Sequence, residues 1–161
     1  MFNQMYLCQG IGLAANQVDL PYRLFVLNLK SDPEAGEEQV FINPVISLPK
    51  GSDEAEEGCL SLPGLYAPVR RPASVVIDAF DLDGNPIQGR IEDLLARAVQ
   101  HETDHLDGIL FIDRMSEADR ESLADELHEL ESTFSLQRHR GEIPDDEAIV
   151  ARLNKLEGLR A

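Results

Sequence analysis

At about Glu92 the chain changes its apolar period, and this constrains the fold more than any other feature of the sequence. Upstream, YRLFVLNL from Tyr22 to Leu29, VFINPVI and SVVIDAF are short runs rich in β-branched and aromatic residues, and they predict strands. Pro44 within VFINPVI predicts an edge strand or an irregularity. SVVIDAF and the short run PIQGRI flank DLDGN, where Asp83-Gly84 suits a hairpin turn. The polar segments KSDPEAGEEQ and PKGSDEAEEG read as loops, the second delivering CLSLPG, and MFNQMYLC reads as the last two turns of a helix. Downstream, Leu94, Leu95, Ala98, Val99, Glu102 and Leu106 recur at helical spacing, with Gly108 as terminator. Ser116 is placed to cap a second helix with a stripe of Leu123, Leu127, Leu130 and Phe134. A third, short helix follows Pro144 and aligns Ile149, Leu153 and Leu156.

A chain of 161 residues predicts one compact domain over 1–161, with 116–161 as an acidic helical tail. Its 14 basic and 30 acidic residues give a formal charge of −16. That field repels nucleic-acid phosphates and anionic membranes, so neither is an expected partner. The apolar runs fall far short of the roughly 18 residues of a membrane span, and the first residues lack a secretory signal. Cys8 and Cys59 do not define a disulfide framework; a reducing compartment with a chemically employed thiol is the expectation.

The pentapeptide HETDH carries the strongest chemical signal. His101 and His105 are four residues apart, so a helix sets both imidazoles on one face within reach of a single ion. Glu102 stands beside that face, where a carboxylate can take a proton from activated water without being a ligand. The plain alternative is a helix with two capped core histidines. A catalytic tetrahedral site takes three protein ligands, and the pentapeptide supplies two. Cys59, after Glu57-Gly58, is the attractive third; Cys8 competes, and spacing does not choose between them. In GIGLAANQ, Gly10 and Gly12 allow close backbone approach, and Gln17 offers an amide donor for a developing oxyanion. The segment matches neither the dinucleotide nor the phosphate-loop pattern.

Three segments in order, GIGLAANQ at Gly10 to Gln17, EGCLS at Glu57 to Ser61 and QHETDHLDG at Gln100 to Gly108, resemble the peptide deformylase family. The resemblance runs from about Gly10 through Met115. It implies a small α+β domain with antiparallel sheets around a metal-bearing helix, in keeping with the strand-to-helix order. It further implies Cys59, His101 and His105 as metal ligands, Glu102 as general base and acid, and Gln17 with the Leu60 backbone N–H facing the formyl oxygen. Gly12 would align the peptide, and Ile11, Leu94 and Ala98 would line the methionine pocket. Tyr66 stands where some bacterial relatives have a peptide-binding arginine.

The implied metal is ferrous iron, with zinc, nickel or cobalt able to use the same ligands. The implied substrates are formyl-methionyl nascent peptides met near the ribosome. The implied setting is cytoplasmic for a bacterial or phage source, with an organelle as the alternative. Relatives carry a few tens of residues before the glycine motif where this sequence has nine, which reads either as a compact form or as a start at an internal methionine. Two other readings compete: a general metallopeptidase, and a metal-stabilised binding protein that docks through its acidic tail.

Overall fold

A computed structural model describes residues 1–160. Helix α1 (Phe2–Leu7) leads to seven strands: β1 (Gly12–Ala14), β2 (Leu24–Leu27), β3 (Gln39–Lys50), β4 (Asp53–Cys59), β5 (Leu62–Arg71), β6 (Ser74–Phe80) and β7 (Pro86–Glu92). Four helices follow: α2 (Asp93–Leu106), α3 (Glu117–Ser122), α4 (Ala124–His139) and α5 (Asp146–Glu157). The strands form a five-stranded antiparallel sheet in the order β1-β2-β3-β6-β7 and a separate β4–β5 hairpin. The α+β class expected from the resemblance is the one observed.

Alternation explains the large sheet. In β6, Val75, Ile77 and Ala79 point inward and are buried, while Val76, Asp78 and Phe80 take the other face. Ile77 and Ala79 join Phe25, Leu27 and Phe41 from β2 and β3 against Ala98 and Val99 of α2. Each such side chain contributes about 1.5–3 kcal/mol on burial, so the helix is anchored by its apolar stripe. On the sheet's other face, Met5 of α1 packs on Leu13 and Val26. Pro44 sits at a register shift between Ile42 and Val45, in a strand bonded on both sides; it marks the expected irregularity and not an edge.

Two expectations need correction. The segment PKGSDEAEEG is not a loop: it contains the end of β3 and most of β4, with only a tight turn through Gly51 (φ +71°) between them. Acidic residues hide this strand, because Glu54 and Glu56 face outward and Glu57 is buried by ionic contacts in place of apolar ones. The helix capped by Ser116 is also interrupted. Ser116 does accept the Asp119 N–H, but the chain leaves helical geometry at Leu123 (φ −101°, ψ 11°), which separates α3 from α4. Leu123, Leu127 and Leu130 still pack on Leu62, Leu65, Val69 and Phe111, whereas Phe134 is 48% exposed beneath the Arg138 guanidinium.

Candidate active site

The apolar stripe that docks α2 on the sheet turns His101, Glu102 and His105 toward the β4–β5 hairpin. Glu102 is 5% and His105 3% exposed. A register shift between Gly58 and Cys59 ends β4 and carries Cys59 to the helix. The ligand atoms of Cys59, His101 and His105 lie within 4.8 Å of one another, and Cys59 Sγ is 3.2 Å from His105 Nε2. Cys8, at the end of α1, is exposed and outside this cluster. Sequence spacing left the two cysteines as competitors; the hairpin decides for Cys59.

A buried ionic network fixes the triad from behind. Glu57 Oε1 accepts from Arg71 Nε (2.7 Å) and Arg97 Nη1 (2.6 Å), and Oε2 accepts from Arg71 Nη2 (2.9 Å). His101 Nδ1 lies 3.0 Å from the same Oε2. Burial pushes the Glu57 carboxyl up, but His101 and Arg71 more than reverse this and bring it to about 2. An ionised carboxylate only accepts, so Nδ1 carries the proton and Nε2 is left for an ion. Arg71 also reaches Asp104 (2.7 Å), and Arg97 reaches Asp53 (2.9 Å), so both buried cations have a second anion. This network is invisible in the sequence: Glu57 lies within the EGCLS segment, but nothing local to it indicates that arginines 14 and 40 residues away converge on it.

The electrostatics suit a cation. Burial raises the Cys59 thiol, yet hydrogen bonds from His101 and His105 lower it to about 6. Burial lowers the His101 imidazole, but Cys59, Glu57 and the charge of Glu102 raise it to about 10. Desolvation raises Glu102 to about 7 against the pull of both histidines. The site therefore has a negative potential, an easily formed thiolate and two imidazoles, a donor set that fits a divalent transition metal with one position open. Beside it, Glu102 Oε2 is a buried acceptor with no hydrogen-bond partner among the described residues. Such an atom is costly unless a water or substrate donor meets it.

Gln17 completes the arrangement. Its Oε1 accepts the Ala14 N–H at 2.8 Å, which fixes the amide so that Nε2 points to Ser61 Oγ (3.0 Å) and toward Cys59 Sγ (3.9 Å). Gln17, Leu60, Ile11, Gly12, Tyr66, Leu94 and Ala98 all line one cleft of about 530 Å³ with Cys59, His101 and Glu102. Ala98 is buried, whereas Leu94 is 49% exposed and stands at the rim.

Comparison with known proteins gives this geometry its context. Residues 1–121 match the family model described as polypeptide deformylase. The chain belongs to the peptide deformylase family. It is 45% identical over 159 residues to a peptide deformylase of Rhodopirellula baltica, covering 99% of this chain and 79% of that protein. It is 43% identical over 162 residues to the chloroplastic/mitochondrial peptide deformylase 1B of Arabidopsis thaliana, covering 99% of this chain and 58% of that longer protein. A crystal structure of a plant peptide deformylase of the 1B type superposes with a TM-score of 0.82 at 43% identity, covering 91% of this chain and 78% of that one.

Proposed function

We propose that this deformylase hydrolyses the N-terminal formamide of formyl-methionyl nascent peptides, releasing formate and a free methionine amino group. The observation that carries the reading is the unpartnered, buried Oε2 of Glu102, a residue that lines one cleft with Gln17 and with Cys59 and His101 of the triad. Cys59, His101 and His105 would hold the ion. When bound, it supplies Lewis acidity that lowers the pKa of water and polarises a carbonyl. Glu102, raised to about 7, takes a proton from the attacking water as its oxygen bonds to the formyl carbon. Gln17 Nε2 and the Leu60 backbone N–H donate to the formyl oxygen as charge develops there. The carbon–nitrogen bond then breaks, and Glu102 passes its proton to the departing amine.

Ile11, Ala98 and the rim residue Leu94 form the apolar side of the cleft for the methionine side chain, with the Gly12 backbone and Tyr66 along the peptide. The ion in our reading is ferrous iron, with zinc, nickel and cobalt as substitutes; a thiolate ligand makes the iron form sensitive to oxygen. Anaerobic iron-loaded protein should turn over faster than zinc-loaded protein of equal metal content. Substrates would be met close to the ribosome. The experiment compares formyl-Met-peptide, acetyl-Met-peptide and an internal peptide bond with metal-loaded protein. Selective formate release is expected; cleavage of the internal bond alone would replace this reading by a peptidase.

A further inference from the structure

Gln17 stands on a short turn, not on a long element. It belongs to one turn of 3₁₀ helix, Ala15–Val18, which hangs from β1, a three-residue strand at the edge of the large sheet. Ala14 and Ala15 are fully buried, but at Asn16 the chain comes to the surface, and Asp19 reverses it in the left-handed region (φ 53°). The turn closes on itself through two backbone bonds, from the Asp19 N–H to Asn16 O (3.3 Å) and from the Leu20 N–H to Ala15 O (3.0 Å). Neither bond fixes the turn relative to the triad.

Asn16 supplies that link. Its Nδ2 donates to the main-chain carbonyl of His105, 89 residues away, and among the described residues this is the one hydrogen bond between the turn and α2. A carbonyl only accepts, so the NH2 end of the amide faces it. This carbonyl lies in the last turn of α2, where acceptors lose their helical donors. The Asp107 N–H turns back to Thr103 and Asp104, and the Ile109 N–H goes to Asp104. From the backbone His105 O receives only the Gly108 N–H at 3.1 Å, before Gly108 (φ +74°) leads the chain away. Asn16 thus fills the second lone pair of a helix-end carbonyl, on the residue whose imidazole belongs to the triad. On its far side the turn meets α5: Arg152 lies 3.1 Å from Asp19 Oδ2, but both members of that ion pair are about half exposed.

We infer that Asn16 is a positioning residue, which holds the Gln17 amide in register with the metal triad by tying its turn to the end of α2. The inference rests on the deformylase reading. The Gln17 side chain is fixed to its own turn by the Ala14 N–H at 2.8 Å, so a movement of the turn carries Nε2 with it. An oxyanion donor works within about 2.7–3.1 Å of the developing charge, and a misplacement of about 1 Å forfeits much of its effect. Asn16 itself does not line the cleft; it acts through Gln17.

The test compares parent, Asn16→Ala, Asn16→Asp and Arg152→Ala proteins loaded with the same metal, and repeats both Asn16 substitutions on a Gln17→Ala background. Formate release from formyl-Met-peptide gives kcat and KM, and chelator competition gives metal affinity. Removing an oxyanion donor costs about 10²–10³ in kcat. Losing its anchor should cost less, about five- to thirtyfold in both Asn16→Ala and Asn16→Asp, with KM and metal affinity within about threefold of the parent. Asp keeps the shape of Asn but has no donor for the carbonyl, so a space-filling role would leave Asn16→Asp parent-like. On the Gln17→Ala background either substitution should cost no more than about twofold, because the group it positions is gone. Arg152→Ala, which breaks a half-exposed pair, should keep kcat within about threefold. In zinc-loaded parent protein, the Asn16 side-chain amide protons should exchange with solvent more slowly than those of a free asparagine, a readout that needs no variant. Parent-like kcat in Asn16→Asp, an undiminished loss on the Gln17→Ala background, a tenfold loss of metal affinity, or freely exchanging Asn16 amide protons overturns the positioning role and leaves deformylation standing. No formate from the parent with any formyl peptide overturns the deformylase reading, and the positioning role with it.

Discussion

Removing the charge of Glu57 should loosen the metal site without touching a ligand. The Glu57 side chain is 5% exposed, and its carboxylate satisfies two arginines and the rear nitrogen of His101. In Glu57→Gln the side chain keeps its shape, but one oxygen becomes an NH2 that cannot accept from Arg71 Nη2 or His101 Nδ1. His101 then loses the acceptor that sets its tautomer and ring angle, and such outer partners are worth about 10–100-fold in metal affinity. Glu57→Ala additionally leaves Arg71 and Arg97 short of one anion each. Breaking buried pairs of this kind costs about 3–5 kcal/mol, a lowering of Tm of about 6–20 °C for a chain of this size. Asp104 and Asp53 retain part of the compensation, which places the cost toward the low end. Chelator competition reads the metal affinity and thermal unfolding reads the stability. Parent-like affinity in Glu57→Gln together with parent-like Tm in Glu57→Ala would refute the reasoning.

Three further outcomes follow from the same geometry. A Cβ added at Gly12 would fall inside van der Waals contact of the Glu102 carboxylate and Leu27, so Gly12→Ala should cut kcat at least tenfold while metal content holds; unchanged kcat would remove Glu102 from its assigned position. The folded Glu57 carboxyl is lowered from 4.5 to about 2, so its stabilisation is complete above pH 4.5 and is lost as pH falls toward 2. The shift corresponds to at most about 3 kcal/mol before solvent screening, and Glu57→Gln should flatten the acid limb of Tm against pH over that window. Arg114 closes on Asp104 from the partly exposed side, so Arg114→Ala should cost no more than about 1 kcal/mol in unfolding; a loss as large as that of Glu57→Ala would contradict the ranking by burial.

Helix α2 was legible because its burial is apolar and periodic: Ala98, Val99 and Leu106 fall on the face that meets the sheet, and that face fixes where His101 and His105 must point. The hairpin β6–β7 was legible from its turn, with Gly84 at φ +80°. Strand β4 was not, because three of its seven residues are glutamates and its inward glutamate is buried through Arg71 and Arg97. Local propensity holds no information about partners so far along the chain. The break at Leu123 was hidden for the opposite reason. The apolar stripe of Leu123, Leu127 and Leu130 runs on past it, so hydrophobic periodicity gives no sign that α3 ends there. Of the site, the candidate ligands and Gln17 stand in recognisable motifs, whereas the ionic network behind His101 emerges only when the fold brings Arg71 and Arg97 to Glu57.

The central claim is that three residues hold the ion and a fourth moves the proton. Glu102→Gln tests it most directly, because the substitution keeps size and burial while removing the proton acceptor. With metal bound per chain and formate release measured on one preparation, the variant should retain stoichiometric metal and lose about 10²–10⁴-fold in kcat. Parent-like formate release from fully loaded Glu102→Gln protein would contradict the account.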